Sequence, residues 1–122
     1  MQKTPLIAIV DDDESLRLAL VGLVRSLGYE AGSYASADDY LAAADPCAAD
    51  VVVTDIQMPG TSGIELKQRL VERGCAAPVI MITARTEAAL HERAAASGAF
   101  CLLKKPFAPE VLVDCLEKAL AT

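Results

Sequence analysis

The stretch "IAIVDDDESL", residues 7–16, sets an apolar run directly against a block of acids. Leu6 to Val10 contains no polar residue and reads as a strand buried on both faces. It ends on Asp11, Asp12, Asp13 and Glu14, whose crowded carboxyl groups repel unless a cation or a proton relieves them. The end of this strand is therefore a candidate binding position. From Ser15 to Leu27, leucines at 16, 20, 23 and 27 keep helical spacing, and Gly28 stops the helix.

The unit then repeats. Tyr29 to Tyr34 reads as a weaker strand, and Ala37 to Ala44 as a helix behind a Ser36 cap. Val51-Val52-Val53-Thr54 is a second strongly apolar strand that again ends on an acid, Asp55. After a Met58-Pro59-Gly60 loop, Ile64 to Arg73 is helical and stops at Gly74. Pro78 to Thr83 is strand, Glu87 to Ser97 an alanine-rich helix, Phe100 to Leu103 strand, and Pro109 to Leu120 the last helix. Five strands alternating with five helices, the most apolar strands lacking polar alternation, predict a doubly wound α/β domain with a parallel sheet. The 122 residues read as one domain, 1–122.

Composition excludes several classes. A net charge of −6 argues against direct nucleic-acid binding by this domain, which would need clustered Lys and Arg. The apolar runs are strand-length and no charged-then-apolar leader opens the chain, so no membrane span is expected and a cytoplasmic setting is the default. Cysteines at 47, 75, 101 and 115 form no CxxC pair and sit in apolar surroundings, which predicts reduced structural thiols.

In such sheets ligands bind beyond the carboxyl ends of the strands. That rule selects Asp11 and Asp12, Asp55, Thr83, and Lys104 with Lys105. Carboxylate oxygens without nearby His or Cys suit a hard divalent cation, Mg2+, rather than zinc. A magnesium ion, a carboxylate, a hydroxyl and a lysine together describe a phosphoryl site with Asp55 as nucleophile. Asp13 and Glu14 are expected to serve the helix N-terminus instead. Lys104 should face away from Lys105 into solvent, and His91, beside Glu92 and four residues after Glu87, reads as an exposed, satisfied side chain.

The motifs "IVDDDE" at 9–14, "VVVTDIQMPGTSG" at 51–63, "VIMITA" at 79–84 and "KPF" at 105–107 occur in one order and spacing. Through them the sequence resembles the receiver domain of bacterial two-component response regulators over essentially its whole length, and looks closest to the FixJ-like branch. The resemblance implies a flavodoxin-like (βα)5 sheet of order 2-1-3-4-5. It implies that Asp55 is the phosphoacceptor and that Asp11, Asp12, Asp55 and the Gln57 backbone carbonyl bind Mg2+. It further implies that Thr83, Ala84 and Lys105 bind the phosphate and switch, and that the peptide before Pro106 is cis. Gln57 and Arg85 occupy positions where receivers vary the lifetime of the phosphate. Leu102 stands where receivers usually carry an aromatic residue, so there is no ring to swing inward. Implied partners are a sensor histidine kinase or phosphotransfer protein and a phosphorylation-dependent homodimer formed through the surface of the last two helices and last strand.

Two rival readings remain open at this level. One is a magnesium-dependent phosphatase of the haloacid dehalogenase type, with Asp11 as nucleophile and Asp13 as acid. It would need a late acidic pair, for which Asp114 and Glu117 are poorly placed. The other is a receiver-like module that binds partners without phosphate.

Overall fold

The computed structural model describes residues 4–43 and 45–121. The strands are β1 (Leu6–Val10), β2 (Glu30–Tyr34), β3 (Val51–Asp55), β4 (Val79–Thr83) and β5 (Cys101–Lys104). The helices are α1 (Glu14–Ser26), α2 (Ala37–Leu41), α3 (Gly63–Glu72), α4 (Ala88–Ala96) and α5 (Pro109–Leu120). All strands pair in parallel, in the order β2-β1-β3-β4-β5. This is the doubly wound arrangement the apolar strands predict, because a sheet covered on both faces has no solvent side to require polar alternation.

Strand pleating sorts the core into two layers. Ala8, Val10, Val52, Val79 and Met81 face α2, α3 and α4, where Tyr40, Leu66, Leu70 and Leu90 close the layer. Ile7, Ile9, Val51, Val53, Ile80 and Ile82 face α1 and α5, against Leu20, Val24, Leu112 and Leu116. β1, β3 and β4 are thus saturated with apolar contacts on both sides, and their carboxyl ends are held rigidly at one edge.

Helix ends follow their caps. The Asp13 side chain accepts the Leu16 N–H, so α1 begins at Glu14; Ser36 does the same for α2 through the Asp39 N–H. Ser62 and Glu65 form a reciprocal capping box on α3. Gly28, at φ +90°, follows the last residues of α1 and donates to the Arg25 carbonyl, a conformation that favours glycine.

Two expectations need correction. The second helix ends at Leu41 instead of reaching Ala44, a position outside the described residues. The buried Tyr40 donates its hydroxyl to the Pro46 carbonyl, and a 3-10 turn capped by Asp45 begins there, so packing overrides the helical preference of the alanines. The cysteines are not all reduced: Cys47 and Cys75 form a disulfide, with Cα atoms 5.0 Å apart, while Cys101 and Cys115 are thiols. The pairing follows from topology. Cys47 precedes β3 and Cys75 precedes β4, and these strands are neighbours, so their incoming connections lie side by side. Among the described residues no helix is long and apolar enough to cross a membrane.

Candidate functional site

Parallel strands present their carboxyl ends together, and here those ends carry the chemistry. Asp11 follows β1, Asp55 ends β3, Thr83 ends β4 and Lys105 follows β5. Because β3 lies between β1 and β4, Asp55 occupies the middle of the group. Asp11 is 1% exposed, Asp55 7% and Thr83 0%, a depth at which uncompensated charge is costly. Asp12 is exposed at the rim.

One carboxylate oxygen from each of Asp11, Asp12 and Asp55 lies within 4.8 Å of the others. Lys105 reaches across them, its Nζ 3.1 Å from Asp55 Oδ2 and 3.8 Å from Asp11 Oδ2. Asp55 Oδ1 accepts the Gln57 N–H at 3.2 Å, and Asp11 Oδ1 accepts the Asp13 N–H at 2.9 Å. Asp11 Oδ2 is buried and, among the described residues, has no hydrogen-bond donor. Burial holds the Asp11 carboxyl above its usual range; the Asp13 N–H and Lys105 pull the other way, while Asp55 and Asp12 add repulsion.

An orphaned buried oxygen facing two further carboxylates is a donor set for a hard cation. Asp11, Asp12 and Asp55 fit Mg2+ on this ground. Gln57 lies exposed in the loop just beyond Asp55, in reach of the same edge.

Thr83 is anchored twice. Its Oγ1 accepts the Arg85 N–H at 3.0 Å, and its carbonyl accepts the Lys105 N–H at 2.8 Å, so strand ends and lysine are mechanically joined. Ala84, next along, is exposed, and the peptide between Lys105 and Pro106 is cis. Leu102 is not at the acids: it is half-buried and packs against the α2-α3-α4 layer. Lys104 is exposed, whereas Lys105 is half-buried. His91 is half-buried instead of exposed, its Nε2 2.9 Å from the Arg85 carbonyl.

Three contacts escaped the sequence reading. Arg17 donates from Nη1 to the Asp11 carbonyl at 2.7 Å and from Nε to Ser33 Oγ at 3.1 Å, bracing the first strand end from α1. Thr61 donates its hydroxyl to Asp38 at 2.6 Å, tying the loop after Asp55 to α2. Arg85 bonds both Glu87 and, at 2.9 Å, the Gln57 side chain, making an exposed latch across the mouth. No periodicity pairs residues so placed; only Gln57 and Arg85 were marked, by resemblance.

Two of the residues the phosphatase reading needs are engaged away from the acids. Asp13 caps α1 and Asp114 pairs with Lys118 at 2.9 Å along α5.

Comparison with known proteins agrees with this fold. The chain is 37% identical over 113 residues to the transcriptional regulatory protein TdiR of Thauera aromatica, covering 93% of this chain and 50% of that protein. It is 33% identical over 111 residues to the transcriptional regulatory protein FixJ of Rhizobium meliloti strain 1021, covering 91% of this chain and 54% of that protein. The chain therefore spans about half the length of these relatives. The crystal structure of the Vibrio cholerae chemotaxis protein CheY4 superposes with a TM-score of 0.88 at 29% identity, covering 97% of this chain and 100% of that one. Residues 7–117 match the response regulator receiver domain, and the chain belongs to that family.

Proposed function

We propose that this domain is a phosphorylation-controlled switch in which Asp55 accepts a phosphoryl group from the phosphohistidine of a sensor histidine kinase or phosphotransfer protein. The observation that carries the reading is the convergence of Asp55 with Asp11, Asp12 and Lys105 at one strand edge. An Asp55 carboxylate oxygen attacks phosphorus, the phosphorus–nitrogen bond breaks, and the imidazole leaves. Lys105 holds the Asp55 carboxylate in place and faces the incoming negative charge. Bound by Asp11, Asp12, Asp55 and the Gln57 carbonyl, Mg2+ would supply charge neutralisation for the transferred group.

The phosphorylated side chain attracts Lys105 and the Thr83 hydroxyl, which currently accepts from Arg85 and keeps its own proton to donate. Movement of Thr83 draws in Ala84 and the segment leading to α4, changing the surface of α4, β5 and α5. Leu102 repacks within the α2-α3-α4 layer in place of an aromatic swing. We place the domain in the cytoplasm beside its kinase, with homodimerisation or an attached output domain as the response; its own acidity leaves nucleic-acid contact to such a partner.

The test is intact-protein mass after incubation with magnesium and acetyl phosphate, with oligomeric state read on the same samples. A single phosphoryl adduct is expected. No adduct, with steady phosphate release that depends on Asp11, would make the protein an enzyme instead.

Two further results follow from the site. Since the Asp11 carboxyl is raised, the folded state holds more protons than the unfolded one just above the ordinary value of 3.8. Stability therefore falls as pH rises through that window and stays lowered at neutral pH. Asp11→Asn removes this cost, so the metal-free protein should be more stable at neutral pH. Thermal melts should show that gain, together with loss of the added stability, about 1.4 kcal/mol at tenfold the dissociation constant, that magnesium confers on the wild type.

Arg85→Ala opens the latch to Gln57. The phosphoryl adduct should then hydrolyse roughly two- to fivefold faster, the rate equivalent of one exposed hydrogen bond of about 0.5–1 kcal/mol. The decay of adduct mass with time measures it.

A further inference from the structure

Cys47 and Cys75 sit at the end of the sheet opposite the acids. They lie in the connections entering β3 and β4, whereas Asp55 and Thr83 end those strands, roughly 13 Å away along the strand direction. The two cysteines differ in access: Cys47 is exposed and Cys75 is 7% exposed. The bond therefore offers one sulfur to an attacking thiolate and shelters the other as the leaving group.

The bond is also not the only tie between these connections. Arg73, just after α3, donates from Nη1 to the Leu41 carbonyl at the end of α2 at 2.9 Å, and Tyr40 anchors Pro46 from the core. The Cys47 N–H is held separately by Asp45 at 3.1 Å. The Arg73–Leu41 contact does not pass through the sulfur bond, so it ties the two connections together whether or not that bond is closed.

We infer that Cys47–Cys75 is a reversible thiol–disulfide site, with Cys47 as the exchanging sulfur, that sets the rigidity of the α2–α3 face independently of phosphorylation. The co-reactant is a low-molecular-weight thiol–disulfide couple such as glutathione. A glutathione thiolate attacks Cys47 Sγ, the sulfur–sulfur bond breaks, and its electron pair leaves with Cys75, which takes a proton. A second glutathione thiolate attacks the mixed disulfide, releasing the Cys47 thiolate and glutathione disulfide. Two electrons and two protons pass from two glutathione molecules to the protein, and glutathione disulfide drives the reverse. The inference rests on the proposed function only for its reducing compartment, where exposed disulfides are exchanged and not permanent.

The experiment is differential alkylation with peptide mapping on the folded chain in glutathione buffers of varied ratio, with thermal melts and acetyl phosphate labelling on the same samples. In glutathione disulfide, Cys47 and Cys75 should resist alkylation, tested after unfolding; in millimolar reduced glutathione both should label, and reoxidation should restore the bond. Reduction should lower Tm by about 10 °C. Cys47→Ser should melt like the reduced wild type and no longer respond to the buffer ratio. The phosphorylation rate should agree within about twofold across both states, as expected for distant sites. Free Cys47 and Cys75 thiols under glutathione disulfide, or a bond that resists millimolar glutathione in the folded protein, would overturn the inference. The sulfur readout is independent of the phosphoryl readout, so loss of labelling alone would count against Asp55 chemistry and leave the redox site standing.

Discussion

Asp55→Asn is expected to lose phosphoryl labelling altogether while keeping the fold. The amide matches the carboxylate in shape, and its oxygen can still accept the Gln57 N–H that Oδ1 accepts at 3.2 Å. It cannot act as an anionic nucleophile, so no acyl phosphate forms. Stability should change little, because two effects oppose each other. The 3.1 Å pairing with Lys105 is lost, but so is the repulsion among three carboxylates crowded within 4.8 Å. Lys105 retains Asp11 Oδ2 at 3.8 Å, so it is not stranded. Intact mass after acetyl phosphate treatment, with a thermal melt of the same sample, checks both halves. Wild-type labelling of the variant would remove Asp55 from the mechanism.

The second large effect is expected at Gly63, the first residue of α3. Its N–H donates to the Ile56 carbonyl at 2.8 Å, drawing the helix start against the end of β3. A Cβ there would collide with the Asp55 carbonyl oxygen and stand only 3.0 Å from Ile56 Cα and 3.1 Å from the Asp55 carbonyl carbon. All three atoms are backbone and cannot rotate away. Gly63→Ala should therefore cost about 3 kcal/mol, the upper range for overpacking, seen as a fall of roughly 10 °C in Tm. It should also slow phosphorylation, since relief requires moving either α3 or the strand end that carries Asp55. Gly22→Ala is the internal control. Gly22 lies exposed in α1 with nothing within 4 Å of the added Cβ, and should gain about 0.5–1 kcal/mol from helix propensity alone. If both variants melt alike, close backbone approach is not what Gly63 provides.

Cys47 and Gly63 mark where reading the chain locally stops working. Each is decided by a neighbour far along the chain or across a connection: Cys75 is 28 residues on, and Gly63 meets Asp55 through the turn between β3 and α3. The same holds for Arg17, which braces the first strand end while reaching Ser33 on the neighbouring strand. Leu102 is a related case. Its departure from the aromatic residue that the resemblance implies is visible in the sequence, but its packing against the α2-α3-α4 layer is a property of the assembled sheet.

The order and type of the elements, the parallel sheet and the acids and lysine at the strand ends were determined by the sequence itself. Burial on both faces leaves continuous apolar runs, helices leave a 3.6-residue period, and caps and glycines mark their ends, all signals carried within a few residues. Tertiary structure alone decided which cysteines pair and that Asp11 keeps an oxygen buried with no donor among the described residues. Those outcomes depend on distances between strands that meet only when the sheet closes, and on burial created by both layers at once, so no local pattern can encode them.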